Sequence, residues 1–90
     1  MSSFEGQFVD RNRAALIQRV TSVMPIADEL QNKGMINPET YAEIRAEKTN
    51  PQKMRKLFEA LDAGGHRVKH DFYYALKNHE LYLFKDLGGK

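Results

Sequence analysis

The pair Asn-Pro occurs twice, at Asn37-Pro38 and Asn50-Pro51, and an apolar spacing of helical period follows each time. Proline lacks an N–H and has its φ fixed near the helical value, so it suits a first helical turn and breaks a helix interior. An amide or hydroxyl side chain just before it is a natural cap. The first pair opens a short helix, and the second repeats the device for the next one. After Pro51, Met54, Leu57, Phe58 and Leu61 recur at i, i+3, i+4 and i+7. Tyr41 and Ile44 form the inward side of the shorter helix after Pro38, and Gly64-Gly65 supplies a C-terminal stop for the longer one.

The same spacing fills the rest of the chain. Phe8, Val9, Leu16, Ile17 and Val20 mark a first helix. Asn12 and Arg13 interrupt its stripe, which predicts a bend or two half-helices. Ser22 caps a second helix with Pro25 in its first turn, and Val23, Ile26, Ala27 and Leu30 face the core before Asn32-Lys33-Gly34. Met35 and Ile36 read as loop residues that plug the core. A fifth helix is expected from Val68 to Asn78 and a sixth from Glu80 to Asp86, with Leu87 just beyond. No useful run alternates with period two, so the expectation is an all-α bundle of six short helices. Residues 1–7 read as a flexible lead-in, 8–87 as one domain, and 88–90 as a disordered tail.

Ninety residues hold one small domain near the lower limit for folding on a hydrophobic core. With no cysteine, disulfides, thiolate metal sites and thiol catalysis drop out together. A net charge of +2 is too mild to imply nucleic acid without a concentrated cationic face. No apolar run reaches the ~18 residues of a membrane span, and Met1 to Asp10 lacks the plan of a signal peptide. A cytoplasmic protein with no membrane partner is expected.

Catalytic chemistry finds no motif. His66 and His70 stand at i, i+4, but no third ligand accompanies them, and surface histidines outweigh a metal site. Gly64-Gly65 is a helix stop and not a phosphate loop, and an acidic calcium loop is missing. Tyr73 and Tyr74 are expected to split, one toward the core and one toward the rim. A non-enzyme without cofactor is the expectation.

Charge is sorted by sign along the chain. The first helix carries Arg11, Arg13 and Arg19 against Asp10, and Lys48, Lys53, Arg55 and Lys56 follow one another without an acid. Between these stretches lie five acids (Asp28, Glu29, Glu39, Glu43 and Glu47) against Lys33 and Arg45. Glu39, Glu43 and Glu47 recur at i, i+4, i+8, aligning three carboxylates on the third helix. An ordinary mixed surface accounts for such charges. The alternative is a basic patch on helices one and four that meets an acidic patch on helices two and three of another copy. Such a heterologous contact repeats into a ring or an open helix. Nucleic-acid binding through helices one and four is the competing reading, and the acidic stripe opposes it.

The runs Phe8-Val9-Asp10, Arg13-Ala14-Ala15-Leu16-Ile17, Arg19-Val20-Thr21, Arg45-Ala46-Glu47, Thr49-Asn50-Pro51 and Lys53-Met54-Arg55-Lys56-Leu57-Phe58 carry a resemblance. Across Phe8 to Leu87 the chain resembles a caspase recruitment domain, CARD, of the death-fold superfamily. It is most similar to the C-terminal domain of the inflammasome adaptor, with that of an NLR-family sensor close behind. It departs from the family at Val23-Met24-Pro25-Ile26, in the connection Gln31 to Gly34 and at Gly64 to Lys69. The resemblance implies a six-helix antiparallel Greek-key bundle without enzymatic activity. It also implies self-assembly into helical filaments that recruit the CARD of an inflammatory caspase, with a sensor CARD as a further partner. The residues that match family positions are Arg13 and Arg55 on the basic side and Asp28 on the acidic side. Spacing adds Lys53 and Lys56 to the first and Glu29 and Glu43 to the second. Glu39 and Asn50 fall where the family makes further subunit contacts.

Overall fold

The computed structural model describes residues 3–90, which form seven α-helices and no strand. They are α1 (Phe4–Arg11), α2 (Arg13–Arg19), α3 (Val23–Asn32), α4 (Pro38–Ala46), α5 (Asn50–Gly64), α6 (His66–His79) and α7 (Leu81–Asp86). Seven replace the expected six because the first apolar stripe divides at Asn12. That residue leaves the helical region, at φ −102° and ψ 15°, and its amide donates back to the Phe8 carbonyl at 2.9 Å. Its side chain thus adds a second bond to a carbonyl that already accepts the Asn12 backbone N–H, and α2 begins at the next residue.

α1 begins at Phe4, inside the stretch read as a lead-in. The Ser3 hydroxyl accepts from the Gly6 N–H at 3.0 Å and caps it. At the other end the Gly89 N–H donates to the Phe84 carbonyl, and the Lys90 N–H to the Tyr73 hydroxyl. The Lys90 ammonium lies 4.8 Å from the Phe4 ring centroid, so the tail closes over the start of α1.

The caps follow the two Asn-Pro pairs with one difference. Asn37 caps α4, accepting from the Thr40 N–H at 2.8 Å. The second pair is capped one residue earlier: the Thr49 hydroxyl accepts from the Gln52 N–H, and the Gln52 side chain accepts from the Thr49 N–H. This reciprocal capping box satisfies two backbone donors and leaves the Asn50 side chain outside the cap. Between α5 and α6, Gly65 takes φ 76°, a left-handed conformation that glycine adopts without a Cβ penalty. Beside it, a Cβ on Gly64 would stand 2.4 Å from a Val68 methyl.

The core is continuous through all seven helices. Phe8 from α1, Tyr73 from α6 and Phe84 from α7 meet with ring centroids 4.8–5.6 Å apart, largely edge to face. Phe58 and Phe72 form a second pair between α5 and α6. Ile36 is buried in the loop before α4, and Met35 packs against the core. Tyr73 is buried and Tyr74 is exposed, as expected of adjacent aromatics on an amphipathic helix.

Candidate protein-interaction surface

α2 and α5 carry the cations that were expected to act together, and the bundle sorts them into engaged and free. The Arg13 guanidinium lies over the Phe58 ring at 4.8 Å and donates to Asp62 at 2.9 Å. Asp62 also faces the Lys69 ammonium, which pairs with Asp10 at 2.8 Å. Arg13 therefore belongs to a chain of four charges tying α1, α2, α5 and α6 together, although it is still half exposed. The hydrogen bond that Lys69 donates to Asp10 raises the lysine's pKa; burial opposes it and the charges of Asp10 and Asp62 reinforce it.

Lys53 does not face solvent with its charge. Its ammonium donates to the carbonyls of Glu47 at 2.6 Å, Arg45 at 2.7 Å and Ile44 at 3.5 Å. These carbonyls lie where a helix C-terminus runs out of N–H donors; that of Ile44 also accepts the Glu47 N–H, and Lys53 caps α4 from the neighbouring helix. Lys56 lies 3.9 Å from Glu59 and lines a cleft with Thr40, Glu43 and Ala60. Arg55, between them, is exposed and has no ion pair among the described residues.

The acidic side is sorted in the same way. Asp28 is exposed on α3 and accepts a hydrogen bond from the Tyr41 hydroxyl of α4, which with some burial raises the tyrosine's pKa. Glu29 is more enclosed. It accepts from Lys33 at 3.1 Å and from Asn78 at 3.3 Å, and lies 3.0 Å from His79 Nε2. Burial pushes its carboxyl up, and the bonds from Lys33, Asn78 and His79 outweigh that and hold it below the usual range. Glu43 lines the cleft of Lys56, so one member of the expected acidic patch adjoins one of the basic patch. Glu39 is exposed in the first turn of α4, where a carboxylate suits the positive helix end, and Asn50 is exposed at the start of α5. The stripe of three carboxylates shortens to two, because α4 ends at Ala46 and Glu47 adopts an extended conformation.

Three features were not read from the sequence. Glu80 accepts from the Thr21 and Ser22 backbone N–H groups at 3.0 and 2.9 Å, taking the capping role expected of Ser22. His79 joins the Glu29 cluster from α6. Tyr82 stands 89% exposed on α7. The first two partners lie across the fold, beyond the reach of local spacing; Tyr82 was visible as an aromatic off the apolar stripe of its helix. His70 is turned to Asp71 and Tyr74, and no group of three metal-binding side chains gathers among the described residues.

Residues 6–90 match the family model described as CARD, the caspase recruitment domain. The chain is 44% identical over 80 residues to NACHT, LRR and PYD domains-containing protein 1b allele 3 of Mus musculus. It is equally similar to protein 1a allele 1 of the same series in Rattus norvegicus. Each alignment covers 89% of this chain but only 7% and 6% of the relative.

Proposed function

This chain belongs to the caspase recruitment domain family, a homotypic interaction module and not a catalytic one, and on that premise we propose that it assembles by opposite-charge docking between copies. A basic face on α1, α2 and α5 meets an acidic face on α3 and α4 of the next molecule. The observation that carries this reading is that, among the described residues, Arg55 is exposed on α5 without an ion pair, while Asp28 is exposed on α3 and accepts from a tyrosine hydroxyl. Arg13 joins Arg55 on the basic face, and Glu43 and Glu39 extend the acidic one; Lys53 and Glu29 support these surfaces more than they supply free charge. Asn50, outside its cap, is available for a further subunit contact, as is Glu39.

On this reading α1 and α2 are the halves of one bent helix, and the seven helices count as the six of a Greek-key bundle. Two different surfaces in contact form a heterologous interface, which grows into an open helical filament when its rotation does not close a ring, and the filament is the form this reading takes. Exposed ion pairs contribute only about 0.2–1 kcal/mol each, so assembly needs several contacts per subunit and weakens with salt. The named relatives favour a parent of the NLR-sensor kind over the adaptor. The module then acts in the cytoplasm in innate immune signalling, and its partners are the CARD of an inflammatory caspase and of the adaptor. Among the described residues no helix is long and apolar enough to cross a membrane.

The test is charge reversal. Arg55→Glu and Asp28→Lys each leave a folded, monomeric domain, and the two mixed recover part of the assembly, because each retains one native face. Filaments that persist in both variants under negative-stain imaging would sink the reading.

A further inference from the structure

A cleft runs between α3 and the C-terminal end of α6, lined by Pro25, Asp28, Glu29, Asn32, Lys33 and His79. It includes Asp28, the acidic residue on which docking rests. The imidazole comes from a different helix, and its Nε2 lies 3.0 Å from Glu29 Oε1. Only 19% of the Glu29 side chain and 32% of His79 remain exposed, so the pair is shielded enough to interact yet open to proton exchange.

We propose that His79 is part of the acidic docking surface and makes its strength depend on pH through the histidine charge. The proposal rests on the opposite-charge reading and names a regulator of that same site. The groups facing the imidazole from α3 are Asp28, Glu29 and Lys33. On its own helix, Asn78 shares Glu29 and Lys77 is turned to the Lys90 carbonyl. Glu80, the next residue, faces away onto Thr21 and Ser22. With His79 neutral, two carboxylates outweigh one ammonium and the cleft is negative. With His79 protonated, two cations balance two anions, and an approaching arginine face meets no net attraction. Carboxylates and lysines keep their charge between about pH 6 and pH 8, whereas histidine changes across that interval.

The experiment is a pelleting assay on the intact domain, at about pH 8 and about pH 6 and constant ionic strength. It compares the wild type with His79→Gln, which keeps an N–H donor for Glu29 without taking up a proton. The wild-type assembly threshold rises on acidification, by roughly two- to fivefold more than in the variant. His66 and His70 are present in both proteins, so the difference isolates His79. Circular dichroism checks the fold, and His79→Asn serves as a second variant should the first be destabilised. A pH response in the variants equal to that of the wild type overturns the proposal. Arg55→Glu, run alongside, separates the two layers. If it assembles like the wild type, the docking reading fails first; if it stays monomeric while His79→Gln retains the full pH response, this inference alone fails.

Discussion

At the scale of the residue, a lysine's position on a basic helix did not determine its use. Lys53 and Arg55 are two apart in a stretch without an acid, yet one ammonium serves three carbonyls at the end of α4 and the other side chain has no ion pair among the described residues. Lys53→Met should therefore cost about 1 kcal/mol of stability and fray α4, whereas Arg55→Met should leave the denaturation midpoint nearly unchanged. Equal midpoints for the two variants in urea unfolding would contradict the capping role. Lys69 gives a prediction in pH. Its folded pKa is raised above the ordinary 10.5, so its contribution is complete below that value and disappears as pH rises through the higher folded one. Lys69→Met should flatten the alkaline limb of the melting-temperature profile, and an unaltered limb would reject the assignment. Glu29 runs the other way. Its pKa lies below the ordinary 4.5, so its contribution is present above that value and declines as pH falls through the lower folded one.

At the scale of the element, α1, α4 and α5 each start on a side-chain cap from the residue just before the helix. Thr49→Ala should cost about 1 kcal/mol by opening the capping box of α5. Asn50→Ala should change stability by less than about 0.5 kcal/mol while remaining free to affect assembly. The pair of variants, measured by denaturant titration, separates cap from surface in adjacent residues. α3 differs because its start is held by Glu80 from the junction of α6 and α7. The two Asn-Pro pairs and the stop at Gly64-Gly65 announced their helices because a cap, a fixed φ and a left-handed turn are local chemistry. Glu80 reaching Thr21 is not local. Nor is Asp62 reaching Arg13, and spacing along one helix carries no trace of either. The same limit explains why Arg55 was legible as a candidate while the engagement of Lys53 was not. Exposure follows from helical phase, but a partner on another helix depends on how the helices pack.

At the scale of the whole molecule, the core is a meeting of aromatic rings from both ends of the chain. Phe84→Ala should cost about 3–5 kcal/mol, a large part of the stability of a domain this small. Calorimetry should show it unfolding near ambient temperature, and a shift of only a few degrees would mean that the aromatic cluster is not the centre of the fold. The closing of the tail over α1 has a mechanical meaning as well. Phe4 and Lys90 are in contact, so a force applied through the two ends pulls at neighbouring points of one corner. The load falls on the Lys90–Tyr73 hydrogen bond and then on α1, one contact after another, and is not shared across the bundle. Such a geometry is expected to open from the corner where Phe4 meets Lys90, helix by helix.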